Sequence, residues 1–211
     1  MHVAIKAIPN KEYKQQTMSN RIEEAEALEL CQESLFVTRL VETFTEDGMT
    51  YIVTKFVPSC DLLTYMQTNE IIQMPTNFAR SLVHSLAHAL RYVHSLGLVH
   101  RDLKHTNVLV KDQGDSLTAK LGDFGLTCLI GHSGKFCNKS GTIAFMAPEV
   151  LLNDYADFKV DVWALGIILY SILSGEIPFR GEDHDDMTTE IIQKDICTCN
   201  PKFWATLQPN L

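Results

Sequence analysis

Apolar and polar residues alternate in the first part of the chain, and this pattern predicts β-strands. The alternating runs cover residues 3–8, 36–45 and 49–56. The last two runs flank Glu46-Asp47-Gly48, a turn sequence typical of a β-hairpin. Pro58-Ser59-Cys60 then breaks the alternation, so the strand-rich part is predicted to end there.

Helical spacing of apolar residues predicts a helix between the first two strands and mostly helices after the break. The early helix is predicted to be capped by Ser19 or Asn20, and its apolar positions are Ile22, Ala25, Leu28 and Cys31. The later helices are predicted at residues 61–67, 76–96, 157–174 and 184–194. Gly97 ends the longest of them, whose buried face consists of Phe78, Leu82, Leu86, Leu90 and Val93.

Three segments of the helical part have other patterns. Short strands are predicted at residues 108–110 and 118–121, on either side of a polar turn. Residues 123–149 have little periodicity and several Gly, Ser and Thr residues, which predicts a mobile loop. The apolar run at residues 162–173 is too short to span a bilayer, which takes about twenty residues, and is predicted to be a fully buried helix.

Composition and charge restrict the classes of partner. A length of 211 residues with 45% hydrophobic content suffices for one large domain or two small lobes. A net charge of −8 argues against nucleic acid as the main partner and suits a basic peptide. The six cysteines form no C-x-x-C pair and no apolar leader is present, which predicts a cytoplasmic or nuclear protein that is not secreted. His84 and His88 lie at a zinc-compatible spacing but lack a third ligand, so ordinary histidines are predicted.

Three motifs occur in an order and at a spacing that suit phosphoryl transfer. They are HRDLKHTN at residues 100–107, DFG at 123–125 and APE at 147–149. Asp102 can accept the proton of an attacking hydroxyl, and Lys104 can neutralise charge on the moving phosphoryl group. Asn107 and Asp123 can hold Mg²⁺. These four residues are therefore the predicted catalytic set, and the last two are also the predicted metal ligands.

With these motifs the chain resembles a eukaryotic protein kinase over nearly its whole length. The resemblance implies an α+β, two-lobed kinase fold with ATP and Mg²⁺ as cofactors and a protein substrate. Residues 1–57 correspond to the small lobe, reduced to about three strands and one helix. Residues 58–211 correspond to a mainly helical large lobe that is incomplete at its C-terminus. ATP is expected between the lobes, near the hinge at residues 55–58.

The resemblance assigns Lys6, in Val3-Ala4-Ile5-Lys6, to gripping the α and β phosphates of ATP. This lysine requires a carboxylate partner on the following helix. Glu24 is the first choice, because the two apolar residues one and two turns later then face inward. Glu23 and Glu26 remain alternatives.

The resemblance also assigns residues around the adenine and ribose. Thr54 corresponds to the residue at the back of the nucleotide pocket, and Lys55 and Val57 correspond to hinge residues that contact adenine through main-chain atoms. Leu109 is assigned to the nucleotide-binding set. Asp61 is expected to accept from the ribose or from a substrate arginine, or to serve as a helix N-cap.

Two features resemble serine/threonine kinases rather than tyrosine kinases. They are Lys104 after Leu103, and the sequence GTIAFMAPE at residues 141–149. Thr142 is expected to connect Asp102 and Lys104 to the substrate-docking loop through its hydroxyl. Asp161 is expected to anchor the backbone of the catalytic loop.

The loop at residues 135–142 resembles that of calcium/calmodulin-regulated and calcium-dependent kinases. Asn138 occupies the usual phosphorylation position and cannot be phosphorylated, while Ser133 and Ser140 are candidate sites. A calcium-linked regulatory segment outside this chain is therefore expected. Thr106 replaces an acid that recognises arginine in many such substrates.

Two parts of the kinase pattern have no counterpart in this sequence: the Gly-rich loop expected before Lys6 and the last helices of the large lobe. The second omission predicts that Glu149 is buried without its arginine partner. The predicted function is an ATP-dependent serine/threonine protein kinase. The alternative is a catalytically idle, kinase-like binding or scaffold module.

Overall fold

The computed structural model describes residues 2–10, 22–58, 60–130, 140–152, 156–194, 200, 202, 203 and 205. The strands in this part of the chain are β1 Val3–Pro9, β2 Leu40–Glu46, β3 Met49–Lys55, β4 Cys60–Asp61, β5 Leu98–Val99, β6 Val108–Asp112, β7 Leu117–Leu121 and β8 Cys128–Leu129. The α-helices are α1 Glu24–Leu30, α2 Leu62–Thr68, α3 Thr76–Ser95, α4 Pro148–Leu151, α5 Lys159–Ser174 and α6 His184–Gln193. Two 3₁₀ turns cover His105–Asn107 and Ile143–Phe145.

The first part of the chain forms an antiparallel three-stranded sheet in the order β1-β3-β2. Asp47 and Gly48 connect β2 to β3 with φ values of 48° and 77°, the left-handed geometry that the predicted hairpin turn requires. Ile52 and Val53 of β3 are buried, and Ile52 lies opposite Lys6 in the register. The sheet thus fixes where Lys6 leaves the backbone.

The helical part is organised around α3, which packs on α5 and on β7. The face of α3 predicted to be buried is buried at Leu82, Leu86, Leu90 and Val93, whereas Phe78 is partly buried. Gly175 ends α5 in a left-handed conformation with φ 81°. The β6–β7 hairpin lies against α3, and the loop at residues 100–107 precedes it.

Several sequence predictions need correction. The helix predicted from Ser19 begins at Glu24, because Glu23 is extended at ψ 141°; Ser19 and Asn20 lie outside the described residues. The second strand begins at Leu40 rather than Phe36, since residues 36–38 pair with Leu121 of β7 instead. The helix predicted to be fully buried is not, because Val162 is 57% exposed.

Three elements of two residues each, β4, β5 and β8, were not predicted. The predicted α+β class and the small sheet with one helix are confirmed. In the part of the chain that the structure describes, no helix is both long and apolar enough to cross a membrane.

Candidate active site

Asp102 lies at the centre of a hydrogen-bonded network on the large-lobe side. Its Oδ1 accepts from the backbone N–H of Thr142 at 3.1 Å and from the Thr142 hydroxyl at 2.9 Å. Its Oδ2 lies 2.8 Å from Lys104 Nζ and 3.0 Å from Asn107 Nδ2. Lys104 Nζ also donates to Thr142 Oγ1 at 2.9 Å. Three predicted residues, two from the motif at residues 100–107 and one from the segment at 141–149, therefore hold one carboxylate in a single orientation.

Asp161, at the start of α5, holds the loop that carries this network. It is buried, and its two oxygens accept from the backbone N–H groups of His100 and Arg101, both at 2.9 Å. His94 Nε2 of α3 lies 2.8 Å from Asp161 Oδ2. Burial disfavours the charged carboxylate, but these bonds outweigh it and lower the pKa of Asp161. The expected backbone anchor is thus present, with Arg101 held at φ 71°.

On the side where the nucleotide is expected, Lys6 joins two carboxylates from distant parts of the chain. Its Nζ lies 2.8 Å from Glu24 Oε2 and 2.7 Å from Asp123 Oδ1. Glu24 is buried, whereas Glu23 and Glu26 are exposed, so of the three candidates it is Glu24 that pairs with Lys6. The helix turn from Glu24 places Leu28 and Cys31 in the core, as expected.

The charges of this cluster change the ionisation of its members. Burial tends to lower the pKa of Lys6, but Glu24 and Asp123 outweigh it and the pKa is raised. Burial raises the pKa of Glu24 despite the attraction of Lys6. The pKa of Asp123 is lowered, since the bond and charge of Lys6 outweigh burial. Lys6 and Asp123 are thus held in their charged forms.

Asn107 and Asp123 have oxygen atoms that fit Mg²⁺. Asn107 Nδ2 donates to the backbone oxygen of Asp102 at 2.7 Å as well as to its carboxylate, which fixes which end of the amide is nitrogen. Within the described residues nothing donates to Asn107 Oδ1, and the bonds to Asp123 are all to its Oδ1. An amide oxygen and a carboxylate oxygen are ligands that Mg²⁺ prefers.

A cleft of about 290 Å³ lies between the sheet and the catalytic loop. Six of the predicted residues line it: Lys6, Glu24, Thr54, Asn107, Leu109 and Asp123. Sequence reasoning missed other lining residues, including Thr38. The residues next to Thr38 in the sequence have no pattern that distinguishes a cleft residue from a core residue.

The hinge follows β3 at the edge of this cleft. The N–H of Lys55 donates to Arg39 O at 2.8 Å, and that of Phe56 donates to His2 O at 3.2 Å. Among the described residues no acceptor is bonded to the N–H of Val57. The side chain of Lys55 is exposed and outside the cleft lining.

Some predicted residues lie elsewhere or have other surroundings. Asp61 caps α2: its carboxylate accepts from the N–H and hydroxyl of Thr64 at 3.0 and 2.7 Å, and it does not line the cleft. Glu149 is only partly buried, so the expected buried charge is not formed. Ser133 and Asn138 lie outside the described residues.

His94 is a positioning residue that sequence reasoning missed. It stands on α3, 67 residues before its partner Asp161, and nothing in the helical pattern marks it. His84 and His88 instead contact each other, with ring centroids 4.5 Å apart.

Comparison with known proteins identifies this arrangement. A family model described as protein kinase domain matches residues 1–210. The chain is 36% identical over 168 residues to human cGMP-dependent protein kinase 2, which covers 80% of this chain and 21% of that protein. It is 36% identical over 150 residues to serine/threonine-protein kinase CG17528 of Drosophila melanogaster, covering 70% and 20%. It is 33% identical over 159 residues to ribosomal protein S6 kinase 2 alpha of Xenopus laevis, covering 75% and 21%.

The chain spans about a fifth of the length of these curated relatives. The matched region contains both clusters described above and the two-lobed arrangement of sheet and helices. The chain therefore belongs to the protein kinase family, and within it groups with serine/threonine kinases.

Proposed function

We propose that this chain transfers the γ-phosphoryl group of Mg-ATP to a serine or threonine hydroxyl of a protein. The observation that carries the proposal is the Asp102 carboxylate, held by Thr142, Lys104 and Asn107 at bonding distances between 2.8 and 3.1 Å. A carboxylate fixed in this way can orient an acceptor hydroxyl and take its proton as the phosphoryl group is transferred.

The cleft residues would hold the nucleotide. Lys6, kept in place by Glu24, offers a cation to the phosphates, and Asn107 and Asp123 would hold Mg²⁺. When bound, the metal supplies charge neutralisation on the transferred group. The carbonyl of Lys55 and the N–H of Val57, which has no acceptor among the described residues, offer an acceptor and a donor to adenine. The lobes would divide at the hinge, into residues 1–57 and 58–211.

Lys104 connects the two sides of the reaction. Its ammonium lies 2.8 Å from Asp102 Oδ2 and 2.9 Å from the Thr142 hydroxyl. It would therefore stabilise negative charge close to the base that accepts the proton. A protein substrate with basic residues suits the net charge of −8. Regulation by a calcium-linked segment outside this chain accords with the sequence at residues 135–142.

The test is a transfer assay with radiolabelled ATP and a degenerate pool of serine- and threonine-containing peptides, with and without Mg²⁺. We expect labelled phosphoserine or phosphothreonine only when Mg²⁺ is present, and none with Asp102→Asn. Asp115→Asn, a charge change in the exposed β6–β7 turn, is the matched control and should retain activity. Mg-ATP binding without transfer, or no nucleotide binding at all by the folded chain, would overturn the proposed transfer and support the idle binding or scaffold module instead.

A further inference from the structure

His84 and His88 form a pair of imidazoles on the surface of α3, one helical turn apart. Residues at i and i+4 lie on the same face of a helix, with Cβ atoms about 5–6 Å apart, so both rings can reach one point outside the helix. Their ring centroids are 4.5 Å apart and the ring planes are inclined at 53°. Both side chains are exposed, and neither lines the nucleotide cleft. The pair is therefore separate from the residues of the proposed reaction.

The ring nitrogens of this pair are available to an external ligand. Within the described residues, neither ring makes a hydrogen bond or an ion pair. By contrast, His94, His100 and His105 each have Nε2 bonded to an oxygen of the protein. A ring nitrogen binds a metal ion through its lone pair, and imidazole suits zinc, copper, iron and nickel. His84 and His88 thus have the free donor atoms that the other three histidines use within the fold.

Phe36 restricts the orientation of one of the two rings. Its ring centroid lies 5.4 Å from that of His88, with the planes inclined at 33°. The backbone oxygen of Phe36 accepts from the N–H of Leu121 in β7 at 2.8 Å, so Phe36 is itself fixed to the neighbouring strand. A side chain that is already ordered loses less conformational entropy when it binds a ligand. His88 is therefore partly preorganised as a ligand.

The distance between the rings matches two adjacent positions around one metal ion. A histidine nitrogen binds a metal ion at about 2.0–2.1 Å, which places the ion about 3.2 Å from the centre of the ring. Two rings at the right angle of a square-planar or octahedral ion then have centroids about 4.5 Å apart, against about 5.2 Å at the tetrahedral angle. The observed 4.5 Å fits the right angle. Ni²⁺ and Cu²⁺ are the ions that prefer this geometry with nitrogen and oxygen ligands.

We propose that His84 and His88 chelate one divalent transition metal ion, Ni²⁺ or Cu²⁺, whose other positions are taken by water. The sequence predicts ordinary histidines because a third ligand is missing, and within the described residues no histidine, cysteine or carboxylate joins the pair. An ion that keeps water ligands needs only two protein ligands to be chelated, and it exchanges with solvent. Mg²⁺ is not a ligand of this site, because it prefers oxygen atoms. The site is thus independent of the metal in the proposed reaction.

Calorimetric titration with Ni²⁺ in the presence of excess Mg²⁺ tests the proposal. We expect the wild type to have one nickel site that His84→Gln weakens roughly 100-fold, because a single imidazole lacks the effective concentration that the second ring provides. His184→Gln, at an exposed histidine of α6, is the matched control and should keep the site. Nickel binding by the other histidines is common to the wild type and His84→Gln, so only the difference between them reports the pair.

Two double variants keep the number of histidines and change only their spacing. Arg80→His with His84→Gln separates the rings by two turns, about 12 Å along the axis, and should bind Ni²⁺ as weakly as His84→Gln. Ala87→His with His88→Gln creates a pair at i and i+3, also neighbours on the helix, and should bind more tightly than His88→Gln alone. Arg80 and Ala87 are exposed, so the fold should be unaffected. Equal nickel affinity in the wild type and His84→Gln, or displacement of Ni²⁺ by Mg²⁺, would overturn the proposal.

Discussion

The acceptor side and the nucleotide side of the site differ in burial and in how their residues are brought together. Asp102 and Asn107 are buried, they belong to one short loop, and Asp161 fixes the backbone of that loop. On the nucleotide side, the side chains of Lys6 and Asp123 are 45% and 46% exposed. Lys6 is 18 residues from Glu24 and 117 residues from Asp123 along the chain.

The acceptor side is preorganised by one lobe, whereas the nucleotide side is assembled from distant parts of the chain. The acceptor side is held by bonds within the large lobe, so its geometry persists for as long as that lobe is folded. The nucleotide side depends on where β1 and α1 lie relative to Asp123, and solvent reaches two of its three charges. A substitution on the acceptor side should therefore affect folding as well as activity, whereas one on the nucleotide side should affect activity with little effect on folding.

The largest expected effect comes from Asp161→Asn. The amide replaces one acceptor oxygen with a donor, so a buried N–H of the catalytic loop loses its partner and the contact with His94 is disturbed. We expect the free energy of unfolding to fall by up to about 3 kcal/mol, the cost of leaving a buried donor without an acceptor. Urea unfolding measures this, with Asp157→Asn, whose carboxylate accepts from the exposed N–H of Lys159, as the control. Equal losses for the two variants would contradict the account.

Glu24→Gln should separate activity from folding on the nucleotide side. The amide keeps the shape of the side chain but removes the charge that holds Lys6, and a hydrogen bond to a charged group contributes about 1.5–3 kcal/mol. We expect kcat/KM for ATP to fall roughly 10- to 100-fold. The unfolding midpoint should not fall, because a buried carboxylate whose pKa is raised contributes little to stability. If Glu24→Gln unfolds more easily than the wild type but keeps its kcat/KM for ATP, the contrast between the two sides is wrong.

The pH dependence of stability tests the surroundings of His105, which lies beside the acceptor side. The pKa of His105 is lowered to about 4 in the folded chain, from the ordinary histidine value of 6.5. As the pH falls below 6.5, the unfolded chain therefore binds a proton before the folded chain does. Stability is thus retained above pH 6.5 and lost toward pH 4. Relative to His105→Gln, the wild type should lose up to about 2 kcal/mol between pH 7 and pH 5.

Chemical denaturation at the two pH values measures this loss. His184→Gln, at a histidine whose side chain is 62% exposed, is the matched control and should follow the wild type. If His105→Gln shows the same pH dependence as the wild type, His105 is not buried as a neutral ring.

The smallest effect is expected from Thr142. Thr142→Val removes the hydroxyl that connects Asp102 and Lys104 while keeping the branched shape, and one such bond contributes about 1 kcal/mol. We expect kcat to fall severalfold and Thr142→Ser to restore most of it. If Thr142→Val and Thr142→Ser are equally active, the backbone N–H of Thr142 is sufficient to hold Asp102.

The same contrast explains what the sequence could predict. Asp102, Lys104 and Asn107 of the acceptor side lie within residues 100–107, so their spacing alone indicates a shared role. Helical spacing favours Glu24 without excluding Glu23 and Glu26, and the burial of Glu24 and its contact with Lys6 distinguish it in the structure. The contact between His105 and Ser171 joins residues 66 apart, and β4, β5 and β8 are too short to show a period. Long-range packing determines these features, and the local pattern does not contain them.

Magnesium-dependent nucleotide binding tests the central claim most directly. Calorimetric titration of ATP would be made with and without Mg²⁺ for the wild type, Asp123→Asn and Asp102→Asn. We predict that Mg²⁺ strengthens ATP binding in the wild type and in Asp102→Asn, because the proton-accepting carboxylate does not hold the nucleotide. Asp123→Asn should bind ATP without this gain, because one of the two metal ligands is weakened. Full magnesium dependence in Asp123→Asn, or none in the wild type, would contradict the account.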